Sequence, residues 1–115
     1  MTTHSQGAEA ERQAESFLAS QGFSTLARNF RAKTGEIDLI VTSGDLLVFV
    51  EVRMRRNPGY GSGADSVTIT KQRKIINTAK LFLQRQKQIH WQAFRFDVIS
   101  ISDSIDWIPG AFTLD

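Results

Sequence analysis

A chain of 115 residues with 41% apolar and 23% charged content is long enough to pack one domain and too apolar to be disordered. The absence of cysteine excludes a disulfide framework, a thiolate zinc site and a cysteine nucleophile. The formal net charge of +2 is small, but residues 28–87 hold twelve Lys or Arg against five acids, while the stretch from Asp97 onward holds four Asp and no base. That asymmetry fits one polyanion-facing side, and equally an ordinary solvated surface.

Met1 to Gln6 shows no basic-then-apolar leader, and the longest apolar run, Leu46 to Val50, falls far short of a membrane span. A cytoplasmic protein with no membrane partner is expected, as a single domain over 1–115 with residues 1–6 disordered. Ala10, Ala14, Phe17, Leu18 and Gln21 fall at helical spacing, and Gly22 stops the run, predicting an amphipathic helix over about 6–21. A weakly alternating strand follows over 23–30. In the next strand, Ile37, Leu39 and Val41 fall on one face and Glu36, Asp38 and Ile40 on the other. Thr42 to Asp45 signals a turn, and Leu46 to Arg53 forms the most hydrophobic strand, with Leu47, Phe49, Glu51 and Arg53 sharing a face. Residues 54–69, rich in glycine, read as a mobile loop. Thr70 is placed to cap a second helix over about 70–87. Its apolar face is Ile75, Ile76, Ala79, Phe82 and Leu83, and its basic stripe is Arg73, Lys80 and Lys87. A strand over 94–101 comes next, and Trp107-Ile108 suggests a short last one. The fold class is therefore α/β, a mixed sheet flanked by helices.

Asp38 and Glu51 stand out because strands this apolar are expected to be buried, where an unpaired carboxylate is costly. If the turn closes an antiparallel hairpin with an even-numbered loop, opposite residues sum to 87. Glu36 then faces Glu51, and Asp38 and Glu51 become diagonal neighbours roughly 7–8 Å apart on one face. Carboxylates so placed converge on one hard cation, with oxygen–metal distances near about 2.1 Å for Mg²⁺. An odd loop puts Glu51 on the opposite face and removes the site. Spacing alone leaves a second reading open, in which both are sheet carboxylates paired with Arg or Lys.

Gly35-Glu36-Ile37-Asp38-Leu39-Ile40 followed by Val48-Phe49-Val50-Glu51-Val52-Arg53 resembles the signature of the YraN family, small bacterial proteins of the PD-(D/E)XK nuclease superfamily, similar to archaeal Holliday-junction resolvases. The likeness extends to Glu11-x-x-Ala14-x-x-Phe17-Leu18, Arg28-Asn29-Phe30-Arg31, Lys71 and Arg95-Phe96-Asp97-Val98-Ile99, covering residues 7 to 112. It implies a restriction-endonuclease-like αβββαβ core and a metal-dependent DNA endonuclease using Mg²⁺ or Mn²⁺, with branched DNA a candidate substrate. By the same resemblance Asp38 and Glu51 are metal ligands, the Val52 carbonyl is a third, and Glu11 completes the cluster directly or through water. Glu36 is less well placed as a ligand. Arg53 stands where the superfamily has a lysine. Arginine keeps the positive charge but effectively never deprotonates, so Arg53 is expected to orient a phosphate and not to act as a base. That departure keeps two alternatives in view: a nucleic-acid-binding module of the same fold with little or no cleavage, and a protein-interaction domain. A homodimer is expected only by analogy with the resolvases.

Arg55, Arg56, Lys71, Arg73, Lys74 and Lys80, with Lys87, are candidate phosphate contacts, although a solvated helix face would look the same. Tyr60 is placed to stack on a base, or sits on a plain basic loop. His90 reads as a surface or capping residue, His4 as terminal, and Trp91, Phe94 and Phe96 as core or interface. No Gly-rich phosphate loop follows a strand.

Overall fold

The spacing of Ala10, Ala14 and Leu18 is realised as helix α1, Thr3–Ser20, in a computed structural model that describes residues 3–55 and 67–113. The helix starts earlier than the expected residue 6. It ends where Gly22 takes φ 93°, with Gly22 N–H donating to the Ala19 carbonyl and Phe23 N–H to that of Leu18. This is a glycine-terminated cap that folds Phe23 back on Leu18. Strands β1 (Ser24–Ala32), β2 (Gly35–Ser43) and β3 (Leu46–Met54) follow, then helix α2 (Ile69–Gln84), β4 (Ala93–Ile101) and β5 (Ile105–Phe112). The final strand runs through Pro109-Gly110 rather than stopping at Ile108. Residues 54–69, expected as a loop, begin in β3 and end in α2, and 56–66 lie outside the described residues.

The five strands form one sheet in sequence order, antiparallel except for the parallel β3–β4 pair that α2 connects. Parallel neighbours need such a crossover. The helices cover opposite faces. Ala10, Ala14 and Leu18 of α1 pack on Leu39, Val41, Val48, Val50 and Ile99, whereas Ile75, Ile76, Ala79 and Phe82 of α2 pack on Ile40, Leu47, Phe49, Phe96 and Val98. Alternation along β3 thus puts Leu47, Phe49 and Glu51 on the α2 side. Among the described residues, no helix is long and apolar enough to cross a membrane.

Three details differ from the sequence-based expectation. The β2–β3 turn is tighter, with Ser43 opposite Leu46 and only Gly44 (φ 59°) and Asp45 between them. Opposite pairs therefore sum to 89, because a two-residue turn with positive φ matches the twist of the strands. Parity survives, so Asp38 and Glu51 still share a side and line one cavity, and in this register Glu36 no longer falls opposite Glu51. Next, Thr68 and not Thr70 caps α2, its Oγ1 accepting the Lys71 N–H at 3.2 Å. The helix ends at Gln84, which leaves Lys87 beyond it. Lastly, the alternation of β2 breaks once. Arg28 and Leu39, a cross-strand pair, face α1, yet Phe30 and Ile37, the next pair but one, pack on the α2 side. Between them Asn29 takes φ 51°, a left-handed conformation that asparagine tolerates better than most residues. Asp38 lies opposite this kink.

Gly35 opens β2 at φ 146°, and a Cβ built there would lie 3.5 Å from Thr78 Oγ1. That is ordinary contact, so the backbone and not crowding demands glycine. Gly35→Ala is expected to lower stability by roughly 1–3 kcal/mol through backbone strain alone, and a shift in the urea unfolding midpoint with an unchanged slope would register it.

Candidate functional site

Glu51 ends the apolar stretch of β3 on the face that α2 covers, and it is 4% exposed. Asp38 reaches it from β2. The regular β2–β3 pairing runs no further than Leu39 opposite Val50, and past it the Val52 N–H donates to Asp38 Oδ2 at 2.8 Å. Burial, first of all, and the adjacent Glu51 carboxylate raise the Asp38 carboxyl to a pKa of about 8, against the opposing pull of the Val52 N–H. A hydrogen bond with Glu51 and the charge of Glu11 push in the same upward direction. Two carboxyl groups this close do not both ionise readily in a low-dielectric setting, so the pair retains a proton near neutral pH.

Glu51, for its part, has cations beside it. Lys71 Nζ lies 2.9 Å from Glu51 Oε2, and Arg53 reaches the same oxygen at 3.4 Å. Of the two arrangements that sequence spacing leaves open, the ion pair is present at Glu51, and Asp38 beside it is held neutral by its surroundings. Asp38 and Glu51 line a cavity of about 340 Å³ with Gly35, Glu36, Lys71 and Lys74.

The other candidates are spread around this pair. Glu11 of α1 lies on the opposite face, lining a neighbouring cavity of about 300 Å³ with Asn29, Arg31 and Glu36. Its charge is felt at Asp38, but among the described residues no three His, Cys, Asp or Glu side chains converge as a ready-made metal cluster. Glu36 pairs with Arg31 at 3.5 Å and lines both cavities. Arg73, Lys74 and Lys80 are exposed on α2, and Arg55 follows β3, its N–H donating to the Ile101 carbonyl. Arg56 and Tyr60 lie outside the described residues. His90 stacks against Trp91, whose Nε1 donates to Thr42. Sequence reasoning places Lys71 among general phosphate contacts and misses its position over Glu51. The signal is present all the same, since Lys71 leads Ile75, Thr78 and Phe82 down the buried face of α2 at helical spacing.

The model of the uncharacterised protein family UPF0102 matches residues 10–101 of the chain, a span that holds every residue of this site. The chain belongs to that family. It is the YraN group whose signature the sequence resembles. Relatives from Saccharophagus degradans and Hahella chejuensis, each a UPF0102 protein, are 47% identical, the first over the whole chain and 99% of its own length, the second over 93% of the chain and 89% of its own. A UPF0102 protein of Vibrio campbellii is 43% identical over 93% of the chain and 91% of its own length. The match runs over nearly the whole length of each of these relatives, and their names assign no activity.

Proposed function

We propose that this UPF0102 protein is a divalent-metal-dependent DNA endonuclease of the PD-(D/E)XK type, acting in the cytoplasm at the Asp38–Glu51 pair. The observation that carries the reading is the buried carboxyl pair itself, with Asp38 raised to about 8 and lysines on the facing wall of an accessible cavity. Such a pair is unfavourable for folding and is the arrangement expected where charge is managed for chemistry.

The donor set fits a hard cation: Mg²⁺ is commonly held by one or two carboxylates, the remaining positions going to water and phosphate oxygens. When bound, Mg²⁺ or Mn²⁺ would keep both carboxylates ionised, lower the pKa of a coordinated water and offset charge on the phosphoryl oxygens. In this reading Asp38 and Glu51 are the ligands, joined by the Val52 carbonyl, and Glu11 acts through water from the other face. Water adds to phosphorus and the bond to the leaving nucleotide oxygen breaks. Arg53 supports Glu51 and orients a phosphate. The exposed Arg73, Lys74 and Lys80, with Arg55 and Arg56, hold the flanking backbone. Each lost phosphate contact should flatten the salt dependence of binding by about one in the log–log slope. The double variant Lys74→Ala/Lys80→Ala is therefore expected to lower that slope by roughly two, as read by fluorescence anisotropy of a labelled duplex across a salt series.

Arg53 favours a second reading. With arginine in the lysine's position, the fold would bind nucleic acid and cleave little or not at all. One assay separates the two: labelled linear duplex, single strand, flap and four-way junction are incubated with Mg²⁺ and then Mn²⁺. Cleavage by the wild type and not by Asp38→Ala/Glu51→Ala supports the nuclease. Silence from the wild type, with salt-dependent binding intact, supports the binding module.

A further inference from the structure

We propose that Lys71, and not Arg53, is the catalytic cation of this site, its ammonium binding the non-bridging oxygen of the scissile phosphate as charge accumulates there. The assignment rests on the nuclease reading above and adds to it the identity of the group that does the lysine's work. Three observations carry it. Lys71 Nζ is 2.9 Å from Glu51 Oε2, closer than Arg53 at 3.4 Å. Lys71 lines the cavity that holds Asp38 and Glu51, whereas Arg53 is not among its described lining residues. The Lys71 side chain is still 43% exposed, so one side of the ammonium meets a carboxylate that is almost fully buried and the other meets solvent.

An ammonium has three N–H donors, and directing one at Glu51 leaves two for phosphate oxygens. The backbone that carries it is also anchored. Thr68 pins the Lys71 backbone N–H, and Ile75, Thr78 and Phe82 anchor the same helix face in the core. Fixed donors aimed at developing charge are the most effective form of transition-state stabilisation. In the step itself, the water oxygen forms a bond to phosphorus and releases a proton to solvent. The electron pair of the breaking phosphorus–oxygen bond leaves with the nucleotide oxygen, which takes up a proton. Lys71 stays an ammonium throughout.

The chain has no cysteine, so a single introduced thiol can be modified selectively. Lys71→Cys is expected to lower kcat on the best-cleaved duplex or junction about 100-fold or more. Alkylation with bromoethylamine, which rebuilds an ammonium of nearly the same length, is expected to restore it to within fivefold of the wild type. Affinity for the same DNA without divalent cation should fall far less than kcat, by no more than the loss of one phosphate contact, and Arg53→Met should lower kcat less than Lys71→Cys does. A Lys71→Cys protein as active as the wild type overturns the assignment while leaving the nuclease standing. So does a deficit confined to DNA affinity, or one that alkylation leaves in place although circular dichroism shows a folded protein. If Lys71→Cys does not fold, Lys71→Arg takes its place, and a loss of less than threefold there combined with a hundredfold loss in Arg53→Met also overturns it. A wild type that cleaves none of the substrates removes the nuclease reading and this assignment with it.

Discussion

Asp38→Asn is expected to make the protein more stable than the wild type above pH 8 and, on the proposed nuclease reading, to abolish cleavage. The wild-type carboxyl titrates near 8 when folded, chiefly because of burial and the neighbouring Glu51, and near 3.8 when unfolded. Between those values the folded state holds a proton that the unfolded chain has released, so stability falls as pH rises. The contribution is fully present below about pH 4 and has been lost by the time pH passes 8. Each tenfold difference in proton affinity between the two states corresponds to about 1.4 kcal/mol. Screening by water in the accessible cavity reduces the total, and we expect a fall of roughly 2–4 kcal/mol across this window. Asparagine removes the titration and keeps the geometry: its oxygen accepts the Val52 N–H and its amide donates to Glu51. Urea denaturation at pH 5, 7 and 9 should show the variant's curve nearly flat where the wild type's declines. Parallel curves for the two proteins would mean that Asp38 is not the titrating member of the pair. Loss of cleavage in the same, more stable protein would separate chemistry from folding.

Much of this site is legible in the sequence because its main signal is local. A charged residue inside Val48-Phe49-Val50-Glu51-Val52 conflicts with its surroundings whatever the fold, and parity along two strands joined by a short turn decides which side chains can meet. The expected register differs from the observed one by a two-residue step, because the turn is the Gly44-Asp45 pair rather than the four residues from Thr42. An even error leaves the faces unchanged. The kink at Asn29 is not legible. It depends on a backbone φ of 51° that asparagine permits but does not impose, and it transfers Ile37 to the α2 side against the simple alternation. Lys71 is harder still, because its meeting with Glu51 spans twenty residues and depends on where α2 begins. Moving the cap from Thr70 to Thr68 makes Lys71 the third helical residue rather than the first, where its ammonium reaches Glu51. Glu11 shows the limit of a family resemblance without geometry, since it approaches from the α1 face and acts on Asp38 through charge rather than as part of a tight cluster.

The largest loss of stability away from the site is expected for Asp97→Ala. In the sequence Asp97 is only part of a strand motif, yet it is 1% exposed and accepts four hydrogen bonds, from Arg95 Nε and Nη2, Trp107 Nε1 and the Gly110 N–H, all between 2.8 and 2.9 Å. These bonds hold an irregular edge. The β4–β5 register shifts between Phe96 and Val98, so that Asp97 alone faces the stretch of β5 that contains Pro109 and Gly110. Proline donates nothing to a ladder, and Gly110 sits at φ 60°, so the carboxylate replaces the strand-to-strand bonding lost at the bulge. Trp107, held by the same carboxylate, packs edge-on against Phe17 and Phe23, which ties α1 to the sheet. Alanine would leave the partly buried Arg95 guanidinium, the indole N–H and a backbone N–H without their acceptor. Removing one partner of a buried charge pair costs about 3–5 kcal/mol, enough to unfold a substantial share of a domain this small at 37 °C. Asp97→Asn, which keeps one acceptor oxygen and loses the charge, should fall between alanine and the wild type in urea denaturation. A loss below about 1 kcal/mol for alanine would mean that water replaces the carboxylate, and that β5 is held by its backbone pairing alone. In either case Asp97, although it pairs with Val50 next to Glu51, lies on the α1 side of the sheet, whereas Asp38 and Glu51 line the cavity on the α2 side. A folded Asp97→Asn protein should therefore keep whatever cleavage the wild type has, which makes it the natural control for stability effects at the carboxylate pair.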